Sequence, residues 1–577
     1  MKFSHLNFSD LLRLIFSILL FTANAFAIDR EVFTFTHYDL DVKIDGPLQA
    51  LMAKGKVTLR NDSGAPQHLA VLQISSTLEW QSVKLEGKPV QYLTQTYTSD
   101  VDHTGKVSEA IVTLPHDVAP KRSVELEVAY QGTIPADSTR LTRVGVPADV
   151  AARNDWDRIT SQLTAVRGLG YVAWYPVALG ALNLSDGPQT FSVLNAWKAR
   201  HEDSSMRVNL CTEVDEPNPP TLLMNAPQQG VQGGSVAGTK EGTTVVCREN
   251  RYERLGLTVP TFVMANYTTL ERPAMTVYYV ADHKLAALDY AIATESVLPF
   301  SRQWFGEPKQ KVAVVDLGEA GAAPFESGPM LFTPIVPVDQ KRLQLTLIHQ
   351  LVHATFFSTR PWIYEGLAHF AQALEREQQE GRKAALAYMD AFRPALIEAE
   401  KTGEQSLVTA HDEVFYRTKA MFVWWMLRDM VGDEALQHAL QRYREEQDRE
   451  PSYVQHLLAG ASKRDLEWFF DAWVYRDRGL PDFRVSTAYP REMVNGGYLV
   501  TVTVENEGNA AADVPVFVNA GSGGNSQRVM VAAKGKGVAR VQMPVAPDEV
   551  TVNDGSVPES GNRNNSVKIT TGKPSDQ

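Results

Sequence analysis

The chain of 577 residues carries a formal net charge of −12 at pH 7, with 21% charged and 44% hydrophobic residues. It is long enough for three or four domains with substantial cores, and its composition is that of a globular protein rather than a fibrous or disordered one. Its acidity excludes a general positive field of the kind that gathers nucleic-acid phosphates.

At the start, Lys2 and Arg13 stand near the front of an apolar run from Leu14 to Ala23, which ends in Ala25-Phe26-Ala27. This is the layout of a secretory signal peptide cut after Ala27, which would place the mature protein in the periplasm or outside the cell. The apolar run is too short to span a bilayer, and no later stretch reaches the roughly 18 apolar residues a membrane helix needs. No transmembrane segment is expected after cleavage.

Residues 28–280 read as a β domain. Tyr38–Ile44 and Val124–Tyr130 alternate apolar and polar residues as half-buried strands do, and turn clusters such as Asn61–Gly64 separate the runs. The two cysteines, Cys211 and Cys247, both fall here, 36 positions apart around a Pro- and Gly-rich segment. Paired in an oxidising compartment, they would close a loop worth about 3–4 kcal/mol in the chain-entropy model. So wide a spacing does not suit a cysteine metal site.

Residues 281–483 change character. Leu285–Phe305 and Leu343–Phe357 have helical periodicity, with a strand candidate at Lys311–Val315 between them. Helical patterns continue through Trp362–Glu377, Arg382–Lys401, Tyr416–Met430, Glu434–Glu446 and Asp465–Val474. Alternation returns in residues 484–571, at Tyr498–Val504 and Asp513–Val518, as expected of a small immunoglobulin-like sandwich, and residues 572–577 form a polar tail. The fold class expected is therefore a multidomain α+β protein: a β saddle or sandwich, a small sheet with a helical bundle, and a terminal β-sandwich.

The chemistry concentrates in His349-Gln350-Leu351-Val352-His353 and Trp362-Ile363-Tyr364-Glu365-Gly366-Leu367-Ala368. Histidines at i and i+4 share one helical face, about 6 Å apart along the axis, so both imidazoles reach one ion. Eleven residues separate His353 from Glu365, enough to end one helix, turn at Pro361 and begin an antiparallel one. Two histidines, a glutamate and an open position make a catalytic zinc site. In the H-E-x-x-H motif the residue after the first histidine takes the proton from the metal-bound water. Here it is Gln350, and an amide accepts no proton near neutral pH. General-base assistance is worth about 10²–10⁴-fold in rate, and Lys341–Thr359 contains no carboxylate to replace it.

These residues resemble the M1-type aminopeptidases and related gluzincin metallopeptidases, whose catalytic domain is thermolysin-like, follows a saddle-shaped β domain and often precedes a β-sandwich. The resemblance implies Zn²⁺ on His349, His353 and Glu365. It sets Gly321–Gly328 in the place of the family's G-x-M-E-N loop, so that Glu326 would bind a peptide's free amino terminus. It makes Tyr416 of Tyr416-Arg417-Thr418-Lys419-Ala420 the hydroxyl that stabilises the tetrahedral intermediate. The segment Asp465–Trp473 followed by Gly479-Leu480-Pro481 resembles the way such domains end. Several departures stand beside these matches: Gln350 for the catalytic glutamate, a short gap to Glu365, Phe325 and Ser327 flanking Glu326, and one extra residue before Lys419. His369, one turn beyond Glu365, reads as a surface or packing histidine ahead of a partner to the ligands or a substitute ligand, and Trp424-Trp425 as bundle core. The expected function is a secreted or periplasmic zinc- and peptide-binding protein with weak or no hydrolysis. The alternatives are an active metallopeptidase with a base from another segment, Glu326 or Glu319, and a non-catalytic envelope binding or assembly protein.

Overall fold

The computed structural model describes residues 28–186, 188–214, 219–230, 244–402, 405–521, 523–561 and 563–569; the expected signal peptide and tail lie outside them. No helix among the described residues is long and apolar enough to cross a membrane.

Strand Phe33–Asp45 sets the pattern of the first part. Tyr38, Leu40, Val42 and Ile44 are buried on one face, while Asp39, Asp41 and Lys43 alternate with them toward water. Each such apolar side chain contributes about 1.5–3 kcal/mol on burial. This strand is central to an eight-stranded sheet that runs from Gln228–Gln229 through Thr244–Tyr252, Ser205–Val214, Phe33–Asp45, Ala50–Asn61, Ser123–Thr133 and Leu78–Leu85 to Lys88–Pro89. Cys211 and Cys247 face each other in register on Ser205–Val214 and Thr244–Tyr252 and are joined by a disulfide, as their pairing in an oxidising compartment would require. A three-stranded sheet (Gln67–Ser75, Lys106–Val118, Gln91–Thr98) shares the core of the large sheet. The part is not wholly β: helix Pro188–Arg200 also belongs to it.

The central sheet has the order Thr268–Glu271, Met275–Tyr279, Val312–Asp316, Met330–Thr333, Phe325–Ser327. Its first two strands precede residue 280, the boundary read from the sequence. The reason is pairing: Met275–Tyr279 runs parallel to Val312–Asp316, and parallel neighbours need a crossover, here helix Lys284–Phe305. The edge strand Phe325–Ser327 is antiparallel to its neighbour.

Helices Gln340–Thr355 and Pro361–Glu380 follow, then a bundle. Arg382–Lys401, one helix in the sequence reading, is two, Arg382–Asp390 and Arg393–Thr402. Pro394 accounts for the break, since it lacks an N–H and disfavours helical geometry in the residue before it. Trp424 and Trp425 are fully buried in the bundle core. The last part consists of two facing sheets, Phe483–Glu492, Tyr498–Asn506 and Lys536–Met543 against Gly523–Val531, Ala512–Ala520, Glu549–Val552 and Ser566–Lys568. Its buried Val500, Val502, Val514 and Val516 continue the core of the helical bundle without a break.

Candidate metal centre and cleft

Helix Gln340–Thr355 starts at Asp339, whose carboxylate accepts the Arg342 N–H at 3.1 Å and so satisfies one of the helix's free donors. Helix Pro361–Glu380 opens on Pro361, where the missing N–H costs nothing. The second helix packs closely on Ala420–Val431: a Cβ placed on Gly366 would lie 2.6 Å from the Ala420 Cβ. Trp362 stacks on Trp424 across the same contact, with ring centroids 5.1 Å apart. This packing fixes the height at which Glu365 meets the first helix.

The two histidines meet as the i, i+4 spacing requires, with Nε2 atoms 3.1 Å apart. A carboxylate joins them, and it is that of Glu326. Its Oε1 lies 2.8 Å from His349 Nε2 and 3.2 Å from His353 Nε2. Glu365 stands slightly farther off, with Oε1 3.9 Å from His353 Nε2, and its other oxygen accepts from Arg417 Nε at 3.2 Å. Arg417 also donates to Glu413 at 2.8 Å.

Electrostatics reinforce this convergence. Burial pushes the Glu326 carboxyl up, but the charge and hydrogen bond of His349, with those of His353, outweigh it and hold the group well below the usual carboxylate range. Burial likewise opposes ionisation of Glu365, and Arg417 followed by the two histidines brings it down to about 2. Burial disfavours the His349 imidazolium, yet Glu326 beside it raises its pKa.

These side chains suit a divalent cation with nitrogen and oxygen donors, zinc among them. Atoms about 2.0–2.2 Å from a tetrahedral centre lie roughly 3.3–3.6 Å from one another, and the separations among Glu326, His349 and His353, 2.8, 3.1 and 3.2 Å, are slightly shorter. The same three residues form a group able to hold a metal ion, their ligand atoms lying within 4.8 Å of one another. Among the described residues the Nδ1 atoms of both histidines have no hydrogen-bond partner, so no bond outside the cluster sets either tautomer there.

The histidines, Glu326, Glu365 and Tyr416 line a cavity of about 1000 Å³. Gln350 is fully buried, is not among the residues lining this cavity, and finds no partner among the described residues for its amide oxygen or nitrogen. Tyr416 lies in a π turn, Val414–Lys419, a geometry that accommodates one extra residue in a helical path, as the spacing before Lys419 requires. Its hydroxyl accepts from Asn195 Nδ2 at 3.1 Å. Burial, the largest influence on this phenol, keeps it protonated. His369 packs edge-on against His349, with ring centroids 5.0 Å apart, and burial followed by the neighbouring imidazole lowers its pKa to about 3. Glu319, weighed as a substitute base, is paired with Arg158 instead.

Sequence reading passed over three contributors to the cleft. Arg417 lies inside the segment quoted for Tyr416, and its charge beside that candidate hydroxyl was the available signal. Asn195 and Lys198 come from helix Pro188–Arg200, within a region read as β, where no motif marks them. Lys198 lines the cavity, and burial followed by Arg417 lowers its pKa.

No protein-family model matches this chain, and no curated protein matches it. Among solved structures, it is similar to the crystal structure of an M1 zinc metallopeptidase mutant from Deinococcus radiodurans, with 15% identity, over 78% of this chain and 96% of that chain, at a TM-score of 0.46.

Proposed function

We propose that the protein is a secreted or periplasmic M1-peptidase-like protein that holds a divalent metal, zinc by its donor set, and binds peptide in the cleft above it while hydrolysing it weakly or not at all. The observation that carries this reading is the meeting of His349, His353 and the Glu326 carboxylate at the cavity, with Glu365 beside them, while the residue after the first histidine is Gln350, an amide buried outside the cavity lining. Bound there, the metal would polarise a carbonyl and lower the pKa of a coordinated water. Tyr416, which lines the same cavity and accepts a hydrogen bond from Asn195, would donate to a developing oxyanion. Gln350, at the position of the usual general base, cannot accept the proton of that coordinated water. The Cys211–Cys247 disulfide supports a compartment outside the reducing cytoplasm.

The deciding measurement is metal content and chelator-sensitive peptidase activity on the same purified sample. Stoichiometric zinc with no chelator-sensitive cleavage is the expected result. Cleavage at ordinary peptidase rates that a chelator abolishes would overturn the silent-site reading. Absence of zinc after loading would overturn the metal half.

A further inference from the structure

The carboxylate of Glu326 is presented to the histidines by a segment held on several sides. Its strand, Phe325–Ser327, pairs antiparallel with Met330–Thr333, Glu326 opposite Leu331, and turns at Gly328, whose φ of +58° lies in the left-handed region that glycine enters freely. The other restraints come from the amino-terminal part of the chain. Phe325 packs edge-on against Tyr171, with centroids 5.2 Å apart, and the Arg167 guanidinium covers the Tyr171 ring at 3.8 Å. The Ser327 hydroxyl accepts the Val259 N–H at 3.0 Å. Trp156 Nε1 donates to the Ala323 carbonyl at 3.0 Å, and the Ala323 N–H to the Arg153 carbonyl at 2.8 Å. Residues before and after Glu326 are therefore anchored, and its side chain has a short, defined reach.

An ordinary ion pair would bring the carboxylate to one imidazole. Here a single oxygen lies within 3.2 Å of both Nε2 atoms, which themselves face each other at 3.1 Å. Three electron-pair donors pointing at one spot describe a coordination sphere. Glu365, its far oxygen on Arg417, approaches from the second helix to 3.9 Å from His353 Nε2 and stands outside the group that the other three form.

We propose that Glu326 is itself a metal ligand, its Oε1 taking the position that water or substrate occupies in an open site, so that His349, His353, Glu365 and Glu326 close the sphere. This rests on the metal-binding reading above and deepens it. Four protein ligands make a structural centre, whereas three and an exchangeable water make a catalytic one. The metal's exchangeable position is then filled from the protein's own edge strand, while the cleft above it stays open. Access to the metal requires Phe325–Ser327 to withdraw, and because that strand is pinned to Tyr171 and Val259, its release is coupled to the amino-terminal part.

The test uses the full mature chain loaded with Co²⁺, whose visible absorption reports coordination number and ligand exchange, with azide as the external ligand. In the native protein the spectrum is four-coordinate and indifferent to azide. Glu326→Gln weakens Co²⁺, measured by chelator competition, by about 10–100-fold or more, and its spectrum shifts on azide addition. Glu326→Asp, which keeps the charge but shortens the reach, gives the same azide response and carries the test if the glutamine variant fails to fold. A native Co²⁺ spectrum that responds to azide as readily as the variants', with equal affinity, overturns the proposal and leaves metal binding intact. Unchanged affinity with cleavage lost only in Glu326→Gln would make Glu326 a base and overturn it too. Failure of Co²⁺ to bind the native chain overturns the metal reading and this proposal together.

Discussion

Two buried clusters of charge lie within the helical part of this protein, and they are built to opposite standards. Lys419, nearly inaccessible, donates to Glu400 at 2.7 Å and Asp477 at 2.8 Å, and Asp477 also accepts the Gln405 and Gly479 N–H groups at 2.9 Å. Every polar group there has an answer within the cluster, as a structural ion network requires. Around His349 and His353 the accounting is left open: two Nδ1 atoms and both ends of the Gln350 amide are buried without partners. An unsatisfied buried group costs about 1–3 kcal/mol, so a fold that keeps four such atoms beside converging donors is not optimised for stability at that place. The contrast separates charge buried to hold the fold from charge buried to hold something else.

The contrast breaks or sharpens under substitution. The largest effect is expected at the open cluster. Restoring a carboxylate at position 350 while freeing the fourth ligand position, in the double variant Gln350→Glu with Glu326→Gln, raises chelator-sensitive peptide cleavage by about 10²–10⁴-fold, the worth of a general base. Gln350→Glu alone falls short of that, because Glu326 still occupies the metal's exchangeable position; an assay of both with and without chelator decides. Next comes the closed cluster. Lys419→Met strands two buried carboxylates and lowers unfolding free energy by about 3–5 kcal/mol in denaturant titrations, with metal content unchanged. If metal content fell as well, the two clusters would not be independent.

Removal of a histidine has the complementary signature. His353→Ala weakens metal binding by at least about 100-fold in chelator competition, while the unfolding midpoint of the metal-free protein stays the same or rises. Gln350→Met replaces the orphaned amide with an apolar chain of similar length and stabilises the protein by about 1–3 kcal/mol. A loss of stability there would mean that the amide has a partner after all.

The pH-dependent effect concerns Glu559, a buried carboxyl whose hydrogen-bond donors are neutral amides. Burial raises it to about 7, against the pull of Asn553 and Asn565 at 2.6 Å and the Phe483 N–H. The folded state therefore keeps a proton that the unfolded chain releases near 4.5. Stability falls as pH rises from the ordinary carboxylate range to about 7, and no further above it. Thermal midpoints of native protein and Glu559→Gln across that range should converge at low pH and separate near neutrality, with the variant higher.

Much of the site's helical half was legible in the residues. The i, i+4 spacing alone brings His349 and His353 together, and the length of chain to Glu365, with Pro361 at the turn, brings the second helix alongside. The burial of the Trp424-Trp425 pair was also accessible, because apolar periodicity reports burial. The helix break at Pro394 was missed although proline marks it, because periodicity on both sides ran through it. The boundary at 280 was misplaced for another reason: strands Thr268–Glu271 and Met275–Tyr279 look like those before them, and only their partners assign them to the next sheet.

By itself, then, the sequence determined the chemistry available: which helix carries two nitrogens on one face, which position lacks a carboxylate, and which two cysteines could pair. Those are local properties, set by spacing along a regular backbone. Only the tertiary structure decided which carboxylate meets the histidines first, that Arg417 shares Glu365, that Asn195 holds Tyr416, and that the amino-terminal part pins the strand bearing Glu326. Each of those contacts joins segments far apart in the chain, and their geometry follows from how sheets and helices pack, which no local pattern records.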